Sequence, residues 1–217
     1  MASYKQTSRS PQDPAVLLVP GLDGSGPGHW QTRWEEEIEG SRKVDLGMWD
    51  NPHRNTWINK LNLAVQRAGR PVVIVAHSLG CLVTAWWAKF EQPGWSTPVV
   101  GALLVAPPEV DFFPRDERLL RFSPTPSDAL PFPSILVGSR NDPWVGLDTS
   151  RMLARQWGSE FVDAGNVGHI NVESGAGNWT FGRDLLDKLI GRQVTSPQAE
   201  ATPRIHADWA EGLEYRA

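Results

Sequence analysis

Three polar residues are placed where the chain could do nucleophilic chemistry: Ser78, Asp142 and His169. Ser78 lies in Ala76-His77-Ser78-Leu79-Gly80, between the apolar run Val72–Ala76 and a stretch of helical period. A serine on a sharp strand-to-helix turn presents its hydroxyl at the end of a sheet, the arrangement called a nucleophile elbow. The positions two before and two after it must be small, because the turn drives their Cβ atoms against neighbouring backbone. Gly80 meets that requirement, and Ala76 adds a single methyl where the pattern has glycine. The competing reading makes Ser78 an ordinary helix N-cap. A serine hydroxyl also needs a general base, and the base needs an acid that fixes its tautomer. Asp142 stands in the polar loop after the run Ser134–Val137, and His169 in the glycine-containing loop Ala164–Asn171.

Other residues compete for these roles. His77 adjoins the nucleophile, but the elbow turns neighbouring side chains apart, and His53 and His206 lie in polar loop or tail segments. His29 and Trp30 follow the first strand at the mouth of the expected site, as substrate contacts or, for His29, as a helix cap. Among the acids, Asp111 is the runner-up, Asp148 fits the first turn of a helix, and Asp163 a local turn. Acyl transfer further needs two N–H donors for the negative oxygen of the tetrahedral intermediate. The backbone of Leu79 should give one and that of Leu22, in the glycine-rich turn Val19–Gly28, the other. That turn lacks the G-x-x-x-x-G-K-[ST] pattern of a phosphate loop. No His, Cys and carboxylate cluster has metal spacing, so neither a metal nor another cofactor is expected.

The elements that must hold these residues can be read from periodicity. Apolar runs at Ala15–Val19, Val72–Ala76, Val99–Val105 and Ser134–Val137 suit buried parallel strands, with weaker ones around Val44–Trp49 and Glu160–Val162. Helical periods cover Trp30–Ile38, Arg54–Ala68, Leu79–Phe90, Leu147–Trp157 and Trp179–Ile190. Alternation of the two predicts a mostly parallel sheet of about six strands with helices on both faces. Ligands of such sheets bind at the carboxyl ends of the strands, where Ser78, Asp142 and His169 all fall. Their order along the chain is that of α/β-hydrolases. Ala106–Pro133 is too short for a helical cap domain, which predicts an open site bounded by Trp and Phe side chains and suited to short acyl groups.

At 217 residues the chain supports one well-buried core. A net charge of −4 argues against nucleic acid as a partner. The single cysteine, Cys81, cannot form an intramolecular disulfide, and no run is long enough for a signal peptide or membrane span, so a cytoplasmic location is expected. The domain is read as 15–191, with polar tails at 1–14 and 192–217 and a short helix possible over Ile205–Tyr215. The 11 Trp residues are read as core or pocket walls, or alternatively as a partner-binding surface.

Pro20-Gly21, His29-Trp30, Trp49-Asp50-x-Pro52, Ala76-His77-Ser78-Leu79-Gly80, Ala106-Pro107-Pro108, Ser139-Arg140-Asn141-Asp142-Pro143 and Gly168-His169-Ile170-Asn171 occur in that order. Together they resemble the small serine hydrolases related to retinoblastoma-binding protein 9, over about Ala15 to Gly191. The resemblance implies a compact, capless α/β-hydrolase with Ser78, Asp142 and His169 as its triad. The expected function is hydrolysis of a small ester, thioester or amide through an acyl-enzyme. The alternative is a protein-interaction module on a hydrolase scaffold, since the family includes a protein named for binding a partner.

Overall fold

The structure, a computed structural model, describes residues 13–91 and 98–194. Apart from 13–14 and 192–194, the expected tails lie outside the described residues, as does the short helix over Ile205–Tyr215. Six strands form one sheet in the order β2-β1-β3-β4-β5-β6, and every neighbouring pair is parallel. They are β1 (Ala15–Val19), β2 (Ser41–Lys43), β3 (Val72–His77), β4 (Val99–Val105), β5 (Ser134–Gly138) and β6 (Glu160–Asp163). The helices are α1 (Trp30–Glu37), α2 (Arg54–Gln66), α3 (Leu79–Glu91), α4 (Leu147–Trp157) and α5 (Thr180–Val194).

Successive residues of a strand point to opposite faces, so the apolar runs supply two cores at once. Leu17, Val19, Ile74 and Leu104 face one layer, where they meet Trp57, Leu61, Trp87 and Trp157 from α2, α3 and α4. Val16, Leu18, Val75 and Val105 face the other, against Trp30 and Trp34 from α1 and Leu186 and Leu189 from α5. The tryptophans are therefore mostly internal: Trp30, Trp34, Trp57, Trp87 and Trp157 are among the largest fully buried side chains.

The second strand departs from expectation. The weak strand foreseen over Val44–Trp49 is instead the polar three-residue Ser41–Lys43. Val44 still donates its N–H to Leu18, but Gly47 and Met48 take left-handed φ values of 61° and 49°, which no strand accommodates. Val44 and Leu46 are apolar because they fill the core beside α2, not because they pair in the sheet. The segment between β4 and β5 holds a 3-10 helix, Glu117–Phe122, within connecting loop, and no cap domain. No helix of the described residues is long and apolar enough to cross a membrane.

The crossing of β1 and α3 tolerates no side chain. A Cβ on Gly80 would lie 2.3 Å from the Val19 carbonyl oxygen and 2.7 Å from that of Pro20. Both obstacles are backbone, so neither can swing aside. Gly80→Ala is expected to lower stability by about 1–3 kcal/mol or more. Gly191→Ala, on α5 with nothing within 4 Å of the added atom, should be neutral or mildly stabilising. Thermal melting of the two variants beside the parent checks the contrast, and equal melting temperatures would refute it.

Candidate active site

β3 ends in the turn that carries Ser78, whose φ of 53° is left-handed. The turn is pinned where Ser78 N–H donates to the Val105 carbonyl at 2.9 Å and Cys81 N–H to the Ser78 carbonyl at 2.9 Å. The chain leaving β1 passes close by: a Cβ on Gly21 would stand 2.7 Å from the Ser78 Cβ and 3.1 Å from its Oγ. Glycine at 21 thus lets the next peptide, that of Leu22, approach the serine.

Ser78, His169 and Asp142, far apart in sequence, meet at the carboxyl edge of the sheet. Ser78 Oγ lies 2.9 Å from His169 Nε2, and both Asp142 oxygens lie 2.9 Å from His169 Nδ1. The Asp142 side chain is 0% exposed, and it also accepts the Trp144 N–H at 2.9 Å. A buried carboxylate facing Nδ1 holds the proton there and leaves the Nε2 lone pair turned to the serine hydroxyl. The set can therefore withdraw the serine proton as the oxygen attacks a carbonyl. The other acids lie elsewhere. Asp111 accepts from Ser123 and Thr125, Asp148 is exposed beside Arg151, and Asp163 is engaged with Arg140 and the Gly165 N–H.

The two loops that carry Asp142 and His169 are fastened together. Ser139 Oγ accepts the Val167 N–H at 3.1 Å, and Asn141 Oδ1 accepts the Gly168 N–H at 2.7 Å. Trp144 stacks on the His169 ring at 5.3 Å between centroids. His77 does not reach Ser78; its Nε2–H donates to the His169 carbonyl at 2.9 Å, bracing the base from below. Elimination of His77 as a base missed this role, because sequence adjacency to the serine says nothing about which loop crosses over the ring.

A cavity of about 270 Å³ opens on Ser78 and is lined by Leu22, Gly24, His29, His77 and Trp144 among others. Leu79 opens α3, so its N–H is one of those a helix leaves without an intrahelical partner. His29 caps α1, its Nδ1 accepting the Gln31 N–H at 3.1 Å, and it also lines the cavity. Trp30 does not line it. Its side chain is 1% exposed in the α1–α5 layer, and the indole N–H donates to the Ile170 carbonyl at 2.9 Å. Of the aromatic walls expected, Trp144 is present, whereas no Phe lines this cavity. No cluster able to hold a metal ion occurs among the described residues.

Three imidazoles crowd together here, with His77 4.8 Å from His29 and 5.1 Å from His169 between centroids. Burial, then the neighbouring His169, lowers His29 to about 4. Burial pushes His77 well below the usual histidine range, helped by His29 and His169. Near neutrality both are uncharged, so a proton arriving on His169 meets no like charge from them.

Residues 16–188 match the family whose description is "Serine hydrolase". A comparison with curated proteins finds no match. Among solved structures, the chain is similar to a YdeN-like hydrolase from Pectobacterium atrosepticum, with 28% identity, a TM-score of 0.73, and coverage of 84% of this chain and 93% of that one. The ydeN gene product of Bacillus subtilis shares the fold at 18% identity and a TM-score of 0.66, over 82% of this chain and 99% of that one. Est1E from Butyrivibrio proteoclasticus does so at 13% identity and a TM-score of 0.60, over 83% and 90%.

The neutral His29 has a consequence for stability. Its folded value, about 4, lies below the 6.5 of a free histidine, so between these pH values the unfolded chain binds more protons. The contribution is complete above pH 6.5 and is lost as pH falls toward 4, amounting to about 3 kcal/mol. His29→Asn keeps a capping side chain but removes the titration. Its melting temperature should fall less steeply than the parent's between pH 7 and pH 4.5. Parallel curves would show that His29 does not carry the effect.

Proposed function

We propose that this chain, which belongs to the serine hydrolase family, hydrolyses small esters, thioesters or amides through an acyl-enzyme on Ser78. The observation that carries this reading is the unbroken line of hydrogen bonds from Ser78 through His169 to a fully buried Asp142. In this mechanism Ser78 Oγ attacks the substrate carbonyl carbon while His169 Nε2 takes the hydroxyl proton. The carbonyl oxygen becomes negative and is held by the N–H groups of Leu22 and Leu79. Collapse of that intermediate breaks the bond to the leaving atom, which departs with the proton from His169. Water then attacks the acyl carbon, gives a proton to His169, and Ser78 recovers it as the acid is released. Asp142, facing Nδ1, stabilises the imidazolium.

A pure binding role is the weaker reading. It would draw on a Trp-rich surface, and among the described residues most Trp side chains, Trp30, Trp34, Trp57, Trp86, Trp87, Trp157 and Trp179, are buried.

The test uses a fluorophosphonate probe and a series of soluble esters. Ser78→Ala should abolish both labelling and turnover with an unchanged melting curve, and retention of more than about a tenth of the activity would remove Ser78 from its role. Asp142→Asn should keep the fold yet cut turnover about a thousandfold or more. The same change at Asp111 or Asp148 should cost far less. If Asp111→Asn is the crippling change, the acid must be reassigned.

Acyl length is a separate expectation from a cavity of about 270 Å³ with no cap over it. Short-chain soluble esters should be turned over faster than long-chain ones, with no jump in rate when substrate aggregates. Preference for long-chain triglyceride emulsions would contradict it.

A further inference from the structure

The cleft does not end at the triad. A second cavity of about 570 Å³ adjoins the first across His169 and Trp144. Trp144, His169, Asn171 and Glu173 border both lobes, whereas Ser78 and Leu22 line the first alone. That division has a chemical meaning if the triad works as proposed above. The attacked carbonyl lies between Ser78 and the Leu22 N–H, while the departing atom lies beside His169, which must hand it a proton. A leaving group that extends past His169 and away from Ser78 would run toward this second cavity.

The wall of that lobe is rich in donors. Arg115 has its guanidinium 5.6 Å from the centroid of the Trp144 ring, and the same ring stacks on His169. It makes no ion pair or hydrogen bond among the described residues. Arg118, three positions on, is instead held by Asp23 and Asp116. Asn141 and Asn171 also line the lobe, and both spend their side-chain oxygens within the fold, on the N–H groups of Gly168 and Ser174. Their amide N–H groups have no protein acceptor among the described residues. A planar fork with neighbouring amide donors matches a carboxylate better than it matches an apolar or cationic group.

We propose that the second lobe is a leaving-group subsite selecting a carboxylate, with Arg115 as its charge and the amides of Asn141 and Asn171 beside it. The inference rests on the hydrolase reading. It implies that the natural leaving group is an alcohol, thiol or amine bearing an acid function. Glu173, at the border of both lobes, opposes Arg115 and sets an upper limit on that preference.

Two esters isolate the effect: para-acetoxybenzoate and para-acetoxybenzamide share acyl group, ring and leaving oxygen and differ in charge. The quantity read is the ratio of their kcat/KM values, anionic over neutral. Arg115→Gln should lower the ratio about three- to tenfold, chiefly through KM, the range of one charge-assisted contact at a half-open site. Arg115→Lys should restore part of it, and Glu173→Gln should raise it. A purely structural role for Arg115 would slow both esters alike and leave the ratio unmoved, which overturns the proposal. If Ser78 takes the fluorophosphonate label but neither ester is hydrolysed, the subsite fails and the hydrolase reading stands. Absence of the label overturns both.

Discussion

The turn from β3 into α3 forces Ser78, a residue with a Cβ, into a left-handed conformation that costs on the order of 1–3 kcal/mol. That local strain can be held only because three chain segments come together with almost nothing between them. Gly80 lies under the end of β1, Gly21 lies against the serine side chain, and the Ser78 N–H is taken by the carbonyl of Val105 at the end of β4. The sheet therefore fixes the hydroxyl with backbone on three sides. Packing of the helices, in turn, keeps β1 and α3 from separating, which ties the strength of the two cores to the position of a single oxygen.

The second organising element is charge. In the proposed cycle His169 becomes an imidazolium, which needs a negative partner nearby and no positive one. Asp142 supplies the first at 2.9 Å, sealed from solvent. The neutrality of His29 and His77 supplies the second, and it is obtained from burial, the term that dominates both. Histidines that do no proton transfer thus leave the field around the one that could.

Much of this was legible because buried parallel strands must be apolar on both faces. Ala15–Val19, Val99–Val105 and Leu147–Trp157 have the boundaries that periodicity predicts. Where an edge strand is short and polar, the signal disappears, and Val44–Trp49 took its place because core-filling residues of a loop look like strand residues. At the site, the three principal residues follow from their position at strand ends. The ring contacts do not. Trp30 turns inward to Ile170, His77 reaches under His169, and Trp144 lies over it, because side-chain direction across loops depends on which segments cross in space. Ser139 and Asn141 stood beside Asp142 in the motif, yet only the hydrogen bonds reveal them as the link to the histidine loop.

That link divides the site mechanically. Asp142 and His169 ride on loops fastened to each other through Ser139 and Asn141, so the two residues behave as one body. Ser78 belongs to another, made of β3, α3 and the end of β1. The seam between them is crossed by the Ser78–His169 contact, the brace from His77, and the indole of Trp30 on the carbonyl of Ile170. Local opening along such a seam need not melt either body. An opening of that kind would be a silent failure, parting Ser78 from His169 while the sheet and both cores are still intact.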